Sequence, residues 1–152
     1  MNLTLDDFRK GQHLYRGTIK DSFQLDGNTI FKLSSGEFFI RLDSHILPLV
    51  GFFPEIEVYK INGKLVLIYL INRNYTYIEP IKVLETKTIE PFDGFYPGKI
   101  FNLANGQGWR QIDGPNSPCF STGYVRIIND RRIIVDNWAF YPKVELINYK
   151  RF

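Results

Sequence analysis

Two patterns of apolar and polar positions divide the chain. The first dozen residues predict one short helical turn, because Thr4 can cap a segment through Asp7 and Gly11 can end it. From Tyr15 onward, short runs rich in β-branched and aromatic residues alternate with turn residues. Asn62-Gly63 is the strongest of these turn signals, since a two-residue hairpin turn needs positive φ at both positions. The pattern predicts an all-β protein built from short strands.

Part of the strand pattern occurs twice. Residues 29–43 (TIFKLSSGEFFIRLD) and 99–113 (KIFNLANGQGWRQID) align without a gap and are identical at five of fifteen positions. The identical pairs are Ile30/Ile100, Phe31/Phe101, Leu33/Leu103, Gly36/Gly106 and Asp43/Asp113. The likeness continues in residues 58–68 and 125–135, and further on it aligns Ile81 with Val144.

The offset between the two segments changes only in turn-rich stretches, where insertions are tolerated. This is expected of an internal repeat. Chance similarity between two aromatic, β-rich segments is the alternative.

The repeat predicts the domain organisation. We expect residues 1–85 to form a first β repeat that includes the helical turn, residues 86–91 (TKTIEP) to form a polar linker, and residues 92–152 to form a second β repeat. About five short strands in each copy favour two tandem SH3-like barrels, because closing a sheet leaves little exposed strand edge. A single β-sandwich, with one sheet from each copy, is the alternative.

Composition and charge narrow the class of protein. Hydrophobic residues make up 44% and aromatic residues 16% of the chain, which is typical of a folded globular protein. Residues 1–86 carry ten basic and ten acidic side chains, and residues 87–152 carry nine and six, so the net charge of +3 lies entirely in the second part. That excess lacks the dense basic stripe of most nucleic-acid binders.

The chain gives no sign of export or of a membrane span. Its start is acidic within seven residues, and its longest apolar run, residues 65–71, is far shorter than a span requires. Its only cysteine, Cys119, is compatible with a reducing compartment. We therefore expect a cytoplasmic protein.

Few residues offer catalytic chemistry. A cysteine enzyme would need Cys119 to meet a histidine, and His45 lies in the aligned loop of the first copy. A buried apolar cysteine and a surface histidine are the simpler interpretation. Neither His45 nor His13 belongs to a motif with metal-site spacing, and a Glu55/Glu57 pair is typical of a solvated strand face. We predict no catalytic residue, no metal site and no cofactor.

Aromatic residues carry the strongest remaining signal of function. Trp109 aligns with Phe39, so we expect it in the core. Trp138 has no counterpart and falls in a turn region, where either a packing role or a ligand contact would suit it. We predict a binding surface in the second copy. Its residues are Trp138, Tyr141, Arg132, Tyr124 and Phe120.

Residues 103–111 (LANGQGWRQ) resemble an L-x-N-G-Q-x-W-x-Q phrase of small, uncharacterised bacterial β proteins. Gly108 departs from that phrase, which usually has a β-branched residue at this position. The resemblance implies a bacterial or phage origin and brings no activity with it.

These observations favour a non-catalytic protein-interaction module whose partner is another protein. A nucleic-acid-binding protein that uses the basic, aromatic second half is the alternative. A cysteine-dependent enzyme is the least favoured of the three. We expect no membrane partner, and a small-molecule ligand is not favoured.

Overall fold

The structure is a computed structural model that describes residues 3–43, 53–136, 138 and 140–149. The protein is all-β apart from one short helix, as the strand pattern predicts. It divides into two compact units, residues 1–81 and residues 82–152. The division precedes the predicted linker at residues 86–91, because residues 83–87 form a strand that pairs within the second unit. Among the described residues, no helix has the length and apolar character needed to cross a membrane.

The predicted helical turn is α1 (Leu5–Lys10). Thr4 and Asp7 form a capping box, in which each side chain accepts a hydrogen bond from the backbone N–H of the other residue. The N–H of Gly11 donates to the carbonyl of Asp7 at 2.9 Å and ends the helix. The short helix therefore follows from its own sequence.

The first unit contains a closed barrel of six strands. In chain order these are β1 (Gln12–Leu25), β2 (Asn28–Leu33), β3 (Phe38–Arg41), β4 (Glu55–Ile61), β5 (Lys64–Tyr69) and β6 (Tyr75–Pro80). Around the barrel the order is β1-β2-β3-β6-β5-β4, with antiparallel neighbours throughout. Asn62 and Gly63, with φ of 52° and 77°, form the predicted turn between β4 and β5.

The long strand β1 closes this barrel. Its first half pairs with β4 and its second half pairs with β2. Register shifts between residues 13 and 15 and between residues 19 and 21 mark irregularities of the kind that bend a strand. Gly17 lies between them, where a Cβ atom would come within 2.5 Å of the Ser34 hydroxyl oxygen. A side chain at this position would therefore collide with the side chains of Tyr15 and Ser34.

Apolar side chains from all six strands fill the barrel. They are Ile19, Phe31, Leu33, Phe39, Ile56, Val58, Leu67, Tyr69 and Ile78. Because the six strands close around this core, a single sandwich with one sheet from each half does not describe the first unit.

The second unit has eight described strands. They are β7 (Val83–Lys87), β8 (Phe92–Phe95), β9 (Ile100–Asn102), β10 (Gln107–Gln111), β11 (Ser117–Ser121), β12 (Tyr124–Ile128), β13 (Arg132–Val135) and β14 (Val144–Tyr149). They form the sheets β14-β10-β9, β13-β12-β7 and β11-β8. Two isolated bridges, Thr88 with Leu103 and Arg132 with Lys143, join the first two sheets. Hydrogen-bonded neighbours thus follow the order β7-β9-β10-β14-β13-β12, and β8 and β11 form a separate pair.

This unit has a core of its own. Its buried residues are Phe92, Phe95, Phe101, Leu103, Trp109, Cys119, Val125, Ile127, Ile133, Val135 and Val144. Trp109 is 2% exposed, which confirms the core position expected from its alignment with Phe39.

The β2–β3 and β9–β10 hairpins make the same contacts. The aromatic cross-strand pairs are Phe31 with Phe39 and Phe101 with Trp109. In the turns, Leu33 N–H donates to the carbonyl of Glu37 and Leu103 N–H to that of Gln107, both at 2.9 Å. The turn glycines Gly36 and Gly106 have φ of 91° and 89°. The repeat hypothesis requires this likeness between the two hairpins.

An aspartate after each hairpin binds the backbone of a neighbouring segment. Asp43 Oδ2 accepts from the N–H of Tyr77 at 2.9 Å, and Asp113 Oδ1 accepts from the N–H of Lys143 at 2.7 Å. Burial alone would raise the pKa of Asp43, but the Tyr77 bond and side-chain hydrogen bonds outweigh burial and lower it. The identical aspartates of the sequence match therefore have the same structural role.

The sequence alignment beyond the hairpins needs a correction. Arg41 lies opposite Ile78, and the aligned residue Gln111 lies opposite Val144. Val144 thus takes the position of Ile78, and the alignment with Ile81 is wrong by three residues. Apolar residues are frequent in this short segment, so several offsets satisfy the pattern.

We expect Leu33→Ala and Leu103→Ala each to lower the free energy of unfolding by about 2–5 kcal/mol, because each truncation leaves a cavity in a well-filled core. Leu33 is 1% exposed and Leu103 is 0% exposed. Leu42→Ala is the control, since Leu42 is 52% exposed. Denaturant unfolding measures all three, and wild-type stability in either core variant would contradict the described cores.

Candidate functional site

The five predicted binding residues lie near the two ends of the β12–β13 hairpin. Tyr124 begins β12, and Phe120 precedes it by four residues in the chain. Trp138 follows Asp136 by two residues, and the N–H of Asp136 donates to the carbonyl of Tyr124. Arg132 lies at the turn end, where its Nη1 donates to the carbonyl of Tyr141 at 2.8 Å. Three residue steps along β13 separate the two ends, a distance of about 10 Å. One binding surface can span both.

Asp136 organises the end that carries the aromatic residues. Its carboxylate accepts from the Thr122 hydroxyl at 2.7 Å and from the Gly123 N–H at 3.2 Å. Its own N–H donates to the carbonyl of Tyr124 at 2.8 Å. Burial would raise the pKa of Asp136, but hydrogen bonds from residues 121–123 outweigh burial and lower it. We call residues 121–123 together with Asp136 the Asp136 corner.

Trp138 lies two residues beyond the Asp136 corner and is 39% exposed. Its N–H donates to the carbonyl of Val135 at 3.1 Å. Its ring stacks on Phe140 with centroids 6.4 Å apart and planes 11° apart. Phe140 in turn meets the buried Phe95 edge to face at 5.4 Å. Trp138 is therefore supported by its neighbour and still reaches solvent.

Phe120 precedes the Asp136 corner on β11 and is 81% exposed. Its strand pairs with β8, where Gly94 lies opposite Pro118 with a φ of 136°. A Cβ atom on Gly94 would come within 2.5 Å of the Ser117 carbonyl oxygen. Only glycine permits this approach of the two backbones, and Phe120 lies two residues beyond Pro118 on the same strand.

Tyr124 is held by two side chains that the sequence analysis did not identify. Its hydroxyl donates to the carboxylate of Glu85, and the Arg126 guanidinium lies 4.8 Å from its ring centroid. Tyr124 thus forms part of the support of the surface.

Several cations of the second unit lie against carboxylates. Lys82 Nζ is 2.6 Å from Asp130, and Arg110 Nη1 is 3.2 Å from Glu145. Lys99 Nζ is 2.6 Å from Asp93, its side chain is 12% exposed, and its Nζ lies 4.8 Å from the Phe92 ring centroid. Each of these three cations therefore has an acidic partner, while the net charge of residues 87–152 stays +3.

Each described candidate catalytic group has its own surroundings within its unit. Cys119 is 6% exposed, and burial raises the pKa of its thiol. His13 belongs to the first unit, where its Nε2 is 2.6 Å from Glu57. Tyr59 donates to the same carboxylate at 2.9 Å, so Glu57 has structural partners. His45 lies outside the described residues.

Two further features of the described residues bear on function. No group of three or more His, Cys, Asp or Glu residues that could hold a metal ion occurs among them. The first unit has a cleft between α1 and the barrel, lined in part by Phe8, Tyr59 and Tyr75. Sequence reasoning missed this cleft, because the phenylalanine and the tyrosines lie on three separate elements.

The LANGQGWRQ segment has a structural role. Gln107 Oε1 accepts from Trp109 Nε1 at 3.1 Å and from Asn105 Nδ2 at 2.9 Å. Gln111, which is fully buried, donates to the carbonyls of Asp113 and Pro115. The polar residues of the phrase therefore hold a hairpin and the loop that follows it.

No protein-family model, curated protein or solved structure matches the chain.

We expect Asp136→Asn to lower the free energy of unfolding at pH 7 by about 1–3 kcal/mol, because an amide cannot accept all of the hydrogen bonds at the corner. The carboxylate has a lowered pKa in the folded protein. Its contribution is therefore complete above the unfolded value of about 3.9 and is lost as the pH falls through the folded value.

Denaturant unfolding between pH 7 and pH 3 measures this difference in stability. The gap between wild type and Asp136→Asn should narrow at the acidic end. A gap that stays constant would show that ionisation of Asp136 does not stabilise the corner.

Proposed function

We propose that the protein is a non-catalytic binding protein and that it recognises another protein through Phe120 and Trp138. The observation that carries the proposal is the 81% exposure of Phe120 beside the Asp136 corner. Trp138, on the other side of that corner, is 39% exposed. Large aromatic side chains of this kind dominate the energetics of protein interfaces.

The support beneath these residues favours binding. Asp136 ties residues 122–124 to the end of β13, and Phe140 stacks beneath Trp138. Residues that are already ordered lose less conformational entropy when a partner binds. Arg132, held by the carbonyl of Tyr141, adds a cation at the edge of the same surface.

A protein partner suits this surface better than a nucleic acid. Of its five residues, Arg132 alone is a cation, and its Nη1 donates to the carbonyl of Tyr141. A site for phosphates would present several cations to the ligand. The exposed aromatic residues instead favour an apolar segment of a protein as the occupant.

We also propose that the two units are copies of one β unit. The matched hairpins, the shared aspartate bonds and the common order of hydrogen-bonded neighbours support this duplication. The pair β8–β11, which carries Phe120, lies outside that common order. Segments that lie outside a repeated scaffold, such as β8 and β11, can change without disturbing its core and so can acquire function. A cytoplasmic location and a bacterial or phage origin remain predictions.

Photo-crosslinking in cells tests the proposed surface. A benzoylphenylalanine at position 120 should crosslink to a discrete protein, because this side chain is the most exposed aromatic of the surface. The same residue at position 71 is the control, since Ile71 is 75% exposed and belongs to the first unit. An identical set of crosslinks from both positions would contradict the proposal.

The partner identified by crosslinking is then purified without the crosslink, and its affinity for this protein is measured. We expect Phe120→Ser and Trp138→Ala to remain folded and each to weaken binding by about 2 kcal/mol, as the loss of an interface anchor does. Ile71→Ser should bind normally. Calorimetry gives the affinities, and tight, strongly salt-dependent binding in a separate titration with single-stranded nucleic acid would favour the nucleic-acid alternative. Unchanged affinity in both aromatic variants would remove this surface from the function.

A further inference from the structure

The first unit contains a cleft that the sequence does not indicate. It lies between α1 and strands β4 to β6, and its volume is about 630 Å³. Pockets of roughly 300–1,000 Å³ are typical sites for small molecules. Its apolar lining consists of Leu3, Leu5, Phe8, Tyr59, Ile68 and Tyr75.

Aromatic rings form one wall of the cleft. Phe8 meets Tyr59 at a centroid distance of 5.3 Å and Tyr75 at 6.0 Å, both edge to face. The tyrosine hydroxyls are engaged with the protein. Tyr75 Oη accepts from the N–H of Leu3 at 2.7 Å, and Tyr59 Oη donates to Glu57 at 2.9 Å. The rings therefore offer mainly apolar surface to a ligand.

Two arginines lie at the same cleft. Arg9 is on the last turn of α1, and Arg73 follows β5 with a φ of 62° and its N–H bonded to the carbonyl of Tyr69 at 2.9 Å. Both side chains are exposed. Within the described part of the chain, neither guanidinium lies within ion-pair distance of a carboxylate.

The acidic groups near the cleft are already engaged. Asp7 accepts hydrogen bonds from Thr4, and Asp6 pairs with Lys10 at 2.9 Å. Glu57 lies 2.6 Å from His13 and accepts from Tyr59. The described residues that line the cleft include both arginines and no carboxylate, so two cations lie beside its aromatic wall.

We propose that this cleft binds a small molecule in which an aromatic ring carries a carboxylate or a phosphate group. The ring would contact Phe8, Tyr59 and Tyr75, and the anion would face Arg9 and Arg73. Guanidinium groups recognise both anions through paired hydrogen bonds. The proposal is independent of the protein-binding surface of the second unit, and it reverses the expectation that a small molecule is not a ligand.

A titration of the full chain with defined probes tests the proposal. Indole-3-acetate and phenyl phosphate represent the two anions, and indole-3-acetamide and phenol are their uncharged analogues. Backbone amide NMR reports both the site and the affinity. We expect shifts confined to α1 and to residues near Tyr59 and Tyr75, with at least one anion binding about tenfold more tightly than its analogue. The stronger anion identifies the preferred group.

Arg73→Gln should weaken binding of that anion about fivefold or more, because it removes one guanidinium and keeps an exposed polar side chain. Lys20→Gln is the control, since Lys20 is exposed on β1 and does not line the cleft. Equal affinity for charged and uncharged probes would overturn the proposal. So would wild-type affinity in Arg73→Gln, or an absence of shifts at the cleft up to about 10 mM of each probe.

Discussion

The first unit depends on the pairing of β1 with β4, which closes the six strands into a barrel. A sheet of six short strands leaves two edges unless its ends meet, and β1 meets both β2 and β4 because it is long and irregular enough to bend. Gly17 permits that path close to Ser34. In the second unit, β7 pairs with β12 along its length, and a single bridge from Thr88 to Leu103 connects it to β9. After Thr88 the chain leaves this order of strands, and its next strand, β8, pairs with β11 in a separate two-stranded sheet.

The candidate surface depends on this second arrangement. Strand β11 approaches β8 closely at Gly94 and presents Phe120 to solvent. The Asp136 corner then returns the chain to β12. Trp138 stacks on Phe140 beside this corner, so that side chain would lose little conformational entropy if a partner bound there. If the proposed surface binds a partner, the most exposed of its aromatic residues, Phe120, lies on β11, outside the six strands that pair in the common order.

Local features could be predicted from the sequence, because the residues that form them are close in the chain. The capping box of Thr4 and Asp7 and the Asn62-Gly63 turn are examples. The burial of Trp109 could be predicted for a different reason, its alignment with Phe39. The corner at Asp136 could not be predicted, since its partners lie more than ten residues away and any aspartate could have supplied the carboxylate. The cleft beside Phe8 was missed for the same reason, because it depends on which strands become neighbours.

The two tryptophans offer the most direct test of the proposed binding surface. Trp109 is 2% exposed and Trp138 is 39% exposed, so 5-fluorotryptophan labelling provides one buried and one accessible fluorine signal. Addition of the crosslinked partner protein should shift the Trp138 signal and reduce its response to solvent, while the Trp109 signal stays in place. A complex in which the Trp138 signal remains unchanged and accessible would contradict binding at this surface.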